Sequence, residues 1–242
     1  MIRLIRGEFY RLLHKKSTYL YFALLAVGYF LVAFVRSGGF TAQSVVDDAL
    51  NAFVFLPVLV GGFLFAAVYT DDLNARNLAV LVGFGISKTK VVLAKLVCAA
   101  VLNAAAFALV PLFHVAVYAL FGSAATTDAL GSVYAVAFKF YLTTVAFSAL
   151  SGIVVYGLQR TTFAVVAFVL LAFNVVSGLA ASLFGLIDPA LRDHLIPGIT
   201  DRIVSGVVFG GPVAGTLVEY IAYVALAVAV SAVVFHRKEM EF

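Results

Sequence analysis

The chain has 242 residues, of which 64% are hydrophobic and 12% are charged, and its formal net charge is +4. Its mean hydropathy of +1.11 excludes a soluble globular domain, because such a composition leaves too little polar surface to cover the core. The composition is that of an integral membrane protein, and the modest positive charge does not indicate a nucleic-acid partner.

Six apolar runs are long enough to cross a bilayer as helices, since a hydrocarbon core about 30 Å thick needs roughly 20 apolar residues in each helix. The runs cover approximately residues 18–35, 52–70, 91–121, 133–158, 163–184 and 216–235. The sequence therefore predicts an all-α polytopic membrane protein with six transmembrane helices. Residues 1–242 are expected to form a single transmembrane domain, because little of the chain remains for a soluble catalytic domain.

The N-terminal segment, residues 1–17, has the pattern of an amphipathic helix that lies in the membrane interface. Apolar side chains recur near one face at helical spacing, and basic side chains occupy the other face, where anionic headgroups can meet them. The apolar set is Ile2, Ile5, Phe9, Leu12 and Leu13, and the basic set is Arg3, Arg6, Arg11 and Lys15. The alternative is a charged flank that only marks the cytoplasmic side.

Lysine and arginine residues are distributed unequally between the two sides of the predicted spans. Basic residues near span ends are retained on the cytoplasmic side. One side has Arg3, Arg6, Arg11, Lys15, Lys16, Arg76, Lys88, Lys90, Lys95, Arg160, Arg237 and Lys238, and the other has Arg36, Arg192 and Arg202. Both termini are therefore predicted to be cytoplasmic. Residues 36–50 are expected to form a short, solvated outer loop.

Residues 71–92, between the second and third spans, concentrate charge around an apolar stripe. The charged members are Asp71, Asp72, Arg76, Lys88 and Lys90, the stripe is Leu78, Leu81 and Val82, and a helix break is expected at Gly83 and Gly85. A hydrophobic ridge flanked by charge and held by two rigid spans is a suitable surface for a cytoplasmic protein to push. The alternative is a solvated loop that carries the lysines expected on the cytoplasmic side.

The outer segment 186–215 contains apolar pieces that are too short to cross the membrane. Asp188 and Pro189 form a helix start, with an acceptor at the cap and a proline where no amide donor is needed. A chain break is expected at Pro197 and Gly198, followed by a second short helix that begins at Thr200 or Asp201 and ends at Gly210. Apolar segments of this length next to a span favour a re-entrant or interfacial position. An ordinary amphipathic surface loop is the alternative.

Ionisable side chains inside the predicted spans need a specific reason, because a charge at the bilayer centre costs about 2.5 to 3.5 kcal/mol on insertion scales. Lys139 lies near the outer end of its span, so its ammonium group can reach the surface, and Glu219 has Arg202 or Lys139 as a candidate partner. A role in lining a substrate cavity is the alternative for both. His114 follows Pro111 by nearly one turn, which favours packing at a helix kink.

The order of these features resembles the short permeases of the type 2 export class of ATP-binding cassette (ABC) transporters. That group includes bacitracin, lantibiotic-immunity and toxin-peptide exporters of bacteria. The matching features are an elbow helix at residues 1–16, the acidic exit at Asp71 and Asp72, a coupling helix at residues 73–82, the stretch GFGISKTK, Lys95, and the outer helices of residues 186–215. The chain differs in having Asp where the family more often has Glu, and in lacking a large outer domain.

The resemblance implies a permease subunit of an ATP-driven exporter in the cytoplasmic membrane of a bacterium. It implies a second permease copy or paralogue and two ATPase subunits, which would hold ATP and magnesium. The chain itself is expected to be no enzyme and to carry no catalytic residue, metal or cofactor. GFGISKT is not a phosphate-binding loop, because that motif needs a glycine directly before the lysine and another five residues earlier.

The resemblance and the composition also predict a largely apolar cavity for an amphipathic peptide, antibiotic or lipid-like substrate. The candidate lining residues are Phe53, Phe63, Phe65, Asn103, Lys139, Phe168, Asn174 and Glu219. The two asparagines are equally suited to hydrogen bonds between helices.

Two other function classes compete with the permease. An ion-coupled secondary transporter or channel would act without an ATPase, but it predicts intramembrane acids and internal repeats, which the central spans do not clearly have. An intramembrane enzyme would need clustered catalytic groups. The four histidines are dispersed along the chain without an HExxH motif, and no serine lies in a GxSxG motif.

Overall fold

A computed structural model of the protein describes residues 2–35, 42–74, 77–120 and 127–238. The described residues form helices and contain no strand, so the all-α class is confirmed for this part of the chain. The helices are α1 Ile2–Leu13, α2 Lys16–Val35, α3 Ala42–Phe53, α4 Gly62–Asn74, α5 Asn77–Gly83, α6 Lys88–Leu120, α7 Thr127–Leu158, α8 Thr161–Ala172, α9 Val175–Ile187, α10 Ile196–Phe209 and α11 Ala214–Arg237. A π-helical turn, Pro57–Gly61, precedes α4, and a 3-10 turn, Pro189–His194, precedes α10.

Several of these helices are long and apolar enough to cross a membrane. Helices α6, α7 and α11 each meet this requirement alone. Two bent pairs meet it if each pair is one span: α3 with the π-turn and α4, bent by 42°, and α8 with α9, bent by 56°. The described residues thus contain 3 to 5 candidate spans, and the described apolar part of α2, Lys16–Val32, is shorter. These helices are those of a membrane protein, whereas six spans stay a prediction.

Helix α7 lies at the centre of the molecule, where it packs against α3, α6, α8, α10 and α11. Four of its side chains, spread along the helix, are at most 1% exposed: Val133, Ala137, Phe147 and Tyr156. A helix surrounded by other helices needs apolar side chains on every face, and α7 accordingly has no one-sided polar stripe. The other helices therefore pack around α7.

The two ends of the helix bundle differ in charge. At one end, the basic end, α1 packs on α4 and α6, and the ends of α7 and α11 lie together, where Gly157 lies against Val234. Its bases are Arg6, Arg11, Lys15, Lys16, Lys88, Lys90, Lys95, Arg160, Arg237 and Lys238. The opposite end has the acids Asp47, Asp48, Asp188, Asp193, Asp201 and Glu219. This polarity agrees with the unequal distribution of bases in the sequence.

The expectation of a solvated outer loop at residues 36–50 is wrong for its described part. Residues 42–53 form α3, in which Val45 and Ala49 are fully buried against α6 and α7. Asp47 and Asp48 lower the average hydropathy of this segment, although its apolar residues recur at helical spacing. An amphipathic helix that packs on a core therefore has the average polarity of a loop.

The predicted fifth span, residues 163–184, is two helices rather than one. Helix α8 ends at Ala172 and α9 begins at Val175, and Asn174 between them has a φ of 57°. Asparagine adopts this left-handed conformation more readily than most residues other than glycine. A continuous apolar run therefore contains a bend that hydropathy alone does not report.

The outer segment has its predicted start and end but not its predicted break. The Asp188 carboxylate accepts a hydrogen bond from the Ala190 N–H at 2.9 Å, as a cap should. Pro197 lies in the first turn of α10, so it begins this helix instead of interrupting the chain. The helix ends before Gly210, whose φ is 72°. Whether this segment is re-entrant stays a prediction.

Candidate functional site

Helix α5 lies between α4 and α6 at the basic end, where the sequence predicts a coupling helix. Leu81, Val82 and Ile86 are partly buried against the core. Val80 and Phe84 point away from it and are 52% and 82% exposed. Packing on one side thus holds the helix while two apolar side chains remain accessible, and we call Val80 and Phe84 the apolar tip.

The end of α5 is a Schellman motif. The Ile86 N–H donates to the Leu81 carbonyl at 3.2 Å, and the Gly85 N–H donates to the Val82 carbonyl at 2.9 Å. Gly85 has a φ of 79°, which favours glycine, and α5 itself ends at Gly83. The structure thus has the helix break that the sequence predicts at these two glycines. The motif places Phe84 at the corner where the chain turns towards α6.

Several predicted coupling residues fall outside what the structure describes. Asp71 and Asp72 belong to the last turns of α4, and Leu78 belongs to α5. For these three residues the structure describes the helix but not the side chains. Arg76 lies outside the described residues altogether. The coupling roles proposed for these four residues stay predictions.

Two predicted coupling lysines have different surroundings. Lys88 donates hydrogen bonds to the carbonyl oxygens of Phe235 at 3.0 Å and Lys238 at 2.9 Å. Its ammonium group also lies 5.3 Å from the centre of the Phe235 ring. Lys90 is exposed. Lys88 therefore stabilises the C-terminal end of α11, since cations bind favourably to the free carbonyls of a helix end.

A charged cluster of buried Glu8, buried Lys95 and partly buried Arg11, which the sequence analysis missed, lies between α1, α4 and α6. Lys95 Nζ is 2.7 Å from one Glu8 carboxylate oxygen, and Arg11 donates to the other at 2.8 Å. Lys95 is 1% exposed and Glu8 is 8% exposed. The cluster joins α1 to α6, and we call it the α1 cluster.

The signal for the α1 cluster was present in the sequence. Glu8 is three residues after Ile5 and four before Leu12, so it lies on the apolar face of α1. Leu12 is buried and Ile5 and Phe9 pack on the core, as expected, whereas Leu13 is 51% exposed. An acid on the apolar face of a helix indicates a basic partner on the surface that the helix covers. The interfacial position of α1 stays a prediction.

The opposite end of the bundle has a second set of ion pairs, which join α10 to α7 and α11. Lys139 Nζ is 2.5 Å from an Asp201 oxygen, and an Arg202 nitrogen is 2.7 Å from a Glu219 oxygen. His194 Nδ1 lies 2.6 Å from the other Glu219 oxygen. Arg202 is thus the Glu219 partner, one of the two that the sequence suggested, and Lys139 has a partner of its own.

His114 is fully buried where α2, α3 and α6 meet. Its Nε2 atom is 2.8 Å from the Val45 carbonyl oxygen, and its Nδ1 atom is hydrogen-bonded to the Tyr29 hydroxyl. A carbonyl oxygen only accepts, so Nε2 carries the hydrogen and Nδ1 accepts from Tyr29. His114 thus links three helices, which is more specific than the kink packing expected from Pro111.

The predicted cavity residues lie in different environments. Phe53, Phe65, Phe168 and Asn103 are at most 1% exposed and pack inside the subunit. Phe63 is partly buried, and its ring stacks on Tyr21 with centroids 3.9 Å apart. Asn174 is exposed at the bend between α8 and α9, and Lys139 and Glu219 lie in the ion pairs already described. A cavity role stays a prediction for all eight residues.

Comparison with known proteins assigns no family to the chain. No protein-family model matches the chain, and no curated protein matches it. The described residues contain no group of three or more His, Cys, Asp or Glu side chains placed to hold a metal ion. The function is therefore proposed from the residues, their contacts and the resemblance stated above.

Proposed function

We propose that the chain is the membrane-spanning permease subunit of an ATP-driven ABC exporter. In this proposal six helices cross the cytoplasmic membrane of a bacterium, both termini are cytoplasmic, α1 is an elbow helix, and residues 186–215 are re-entrant. The chain pairs with a second permease copy or paralogue and with two ATPase subunits. These subunits bind ATP and magnesium and hydrolyse the nucleotide, so this chain is not the enzyme.

The position of the apolar tip carries the proposal. Helix α5 packs against both α4 and α6, so a force on Val80 and Phe84 is passed to two helices of the bundle at once. A well-packed interior has low compressibility and shifts as a unit rather than deforming locally. Closure of the ATPase subunits on the tip would therefore tilt α4 and α6 and reshape the space between the two permease subunits.

The charge at the basic end supports the orientation in this proposal. The tip lies at the basic end, a few residues before Lys88 and Lys90 in the chain, in the part of the molecule that collects most of the lysines and arginines. Such residues are retained on the cytoplasmic side of a membrane, where ATP is available. An exposed apolar pair on that side suits a protein partner better than lipid, because Phe84 projects from a helix end bordered by charged residues.

An amphipathic peptide, antibiotic or lipid-like molecule is the proposed substrate. Half of the eight candidate cavity residues are phenylalanines and half are polar or charged, which suits an apolar ligand that also has polar groups. Of these residues, Asn174 is exposed and Phe63 is partly exposed, so these two can contact a space formed with a second subunit. Phe65 and Phe168 stack on each other with centroids 4.8 Å apart, and they would pack inside the subunit behind the residues that line this space.

Co-purification with an ABC ATPase encoded beside this chain tests the proposal. The full chain, the Phe84→Asp variant and the Phe209→Asp variant would each be expressed with the ATPase and isolated from membranes. Phe209 is the matched control, because it is 85% exposed but lies at the opposite end of the bundle. We expect Phe84→Asp to lose the ATPase while Phe209→Asp retains it, since a carboxylate in an apolar contact leaves an unpaired buried charge.

ATP-dependent uptake of a labelled amphipathic peptide into inverted vesicles would complete the test. Vesicles that contain the chain and the ATPase are expected to accumulate the peptide only when ATP is present. Equal ATPase binding by both aspartate variants would remove the apolar tip from the interface. Transport that proceeds without the ATPase would instead support the ion-coupled transporter.

A further inference from the structure

The α1 cluster connects three helices, not two. Besides its contact with Glu8, Lys95 Nζ donates to the Val68 carbonyl of α4 at 3.2 Å. Arg11 likewise bonds Glu8 and donates to the Ala67 carbonyl of α4 at 3.3 Å. One carboxylate therefore orients two bases, and each base also binds the backbone of α4. Helices α1, α4 and α6 meet at this point.

Because Glu8 and Lys95 are buried, the cluster resists displacement of α1 along α4 and α6. Lys95 is 1% exposed, so its ammonium group has little contact with water, and the Glu8 carboxylate 2.7 Å away supplies an opposite charge at that buried position. Charge-assisted hydrogen bonds are also short and directional, whereas contacts between apolar side chains tolerate small displacements. The cluster therefore sets the position of α1 more narrowly than the packing of Ile5, Phe9 and Leu12 would.

We propose that Glu8 is a positioning residue, which holds α1 against α4 and α6 so that these three helices move as one unit. Helices α4 and α6 are also the two helices that flank α5. In the exporter proposed above, on which this last step rests, a force on the apolar tip would thus move α1 together with α4 and α6. The N-terminal helix would then be part of the lever and not a separate membrane anchor.

The single native cysteine provides a direct test of this position. Cys98 in α6 is buried, and its Sγ lies 3.9 Å from the Ile5 carbonyl oxygen of α1. We expect the Ile5→Cys variant to form an intrachain disulfide with Cys98 under mild oxidation in membranes. Tyr10→Cys is the matched control on the same helix, because Tyr10 is 66% exposed and faces away from α6. It is expected to stay unlinked.

The contribution of Glu8 is measured as the change in the rate of this cross-link. Adding Glu8→Gln to Ile5→Cys is expected to slow the reaction severalfold, whereas adding Glu219→Gln at the opposite end should leave it unchanged. If Glu8→Gln does not fold, the pair Glu8→Leu and Lys95→Met removes the carboxylate together with its buried partner, while Arg11 is partly exposed and keeps its bond to the Ala67 carbonyl. An unchanged cross-linking rate in the double variant would show that apolar packing alone positions α1, and the proposal would be wrong.

Forming the disulfide between α1 and α6 tests whether these helices move as one unit. The oxidised Ile5→Cys chain, assembled with its ATPase, is expected to retain ATP-dependent transport, because α1 and α6 need not separate. Loss of transport on oxidation and recovery on reduction would contradict the proposal. If no ATPase assembles with the chain, the exporter function fails, but the cross-linking rates still decide the role of Glu8.

Discussion

An Arg202 guanidinium nitrogen in α10 lies 2.7 Å from a carboxylate oxygen of Glu219 in α11. The other Glu219 oxygen meets His194 Nδ1 at 2.6 Å, so one carboxylate binds the 3-10 turn, α10 and α11 together. Lys139 does not compete for Glu219, because Asp201 is its partner. The outer segment is therefore attached to the bundle at two separate points.

Glu219→Gln is expected to destabilise the protein modestly, by about 1 kcal/mol or less, because the pair is partly exposed and such pairs contribute little. Thermal unfolding in detergent would measure the change. A double-mutant cycle with Arg202→Gln isolates the pairwise interaction. Asp193→Asn, which removes a nearby exposed acid, is the control. If the effects of Glu219→Gln and Arg202→Gln on the free energy of unfolding are strictly additive, the two residues do not interact.

Gly61→Ala is expected to destabilise the protein by about 1–3 kcal/mol, as overpacking of a filled core does. A Cβ at position 61 would overlap Thr144 Cγ2 and would lie 3.3 Å from Phe168 Cζ. Adding Thr144→Ser should recover much of the loss, because serine lacks the clashing methyl group but keeps a hydroxyl. Gly131→Ala is the control, since no atom lies within 4 Å of its added Cβ. Equal unfolding midpoints for Gly61→Ala and Gly131→Ala would argue against the close approach.

His114→Phe is expected to cost more stability than Tyr29→Phe. Phenylalanine keeps the ring but leaves both the Tyr29 hydroxyl and the Val45 carbonyl without their histidine partner. Each buried polar group left unsatisfied costs about 1–3 kcal/mol. Tyr29→Phe removes only one of the two bonds. A smaller shift in the unfolding midpoint for His114→Phe than for Tyr29→Phe would show that His114 does not link these helices.

Lys88→Met is expected to expose the C-terminal end of α11 to trypsin. The variant loses the ammonium group that binds the carbonyls of Phe235 and Lys238, so the last turn should fray and cleavage after Arg237 should become faster. Lys90→Met removes a neighbouring exposed lysine and is the control. Mass spectrometry of the released C-terminal peptide measures the rate, and the same rate in both variants would contradict a role for Lys88 at this helix end.

Part of the fold and of the candidate site follows from local sequence patterns. That α6, α7 and α11 are long and apolar enough to cross a membrane follows from apolar runs, because a helix in lipid needs a continuous apolar surface. The end of α5 follows from Gly83 and Gly85, since glycine adopts the left-handed conformation without a steric penalty. The bend at Asn174 does not follow from the sequence, because asparagine can adopt the left-handed conformation but does not require it.

Average hydropathy predicts neither helix α3 nor the α1 cluster, although the spacing of the apolar residues in each helix indicates a buried face. In both, charged and apolar residues share a short helix, so the average hydropathy hides which face is buried. The spacing places Glu8 on the apolar face of α1, but only the packing of α6 identifies Lys95 as its partner. Packing likewise identifies the partner of Asp201, which α10 brings to Lys139.

The amino-acid sequence by itself determined that this is an α-helical membrane protein with a basic end, because both properties depend on composition and on the spacing of neighbouring residues. Only the tertiary structure decided which charges are buried and which helices they join. A buried charge is stable only beside a partner, and the partner of Glu8 lies in a helix that is distant in the sequence. Tertiary packing therefore selected the ion pairs that hold α1 and α10 against the bundle.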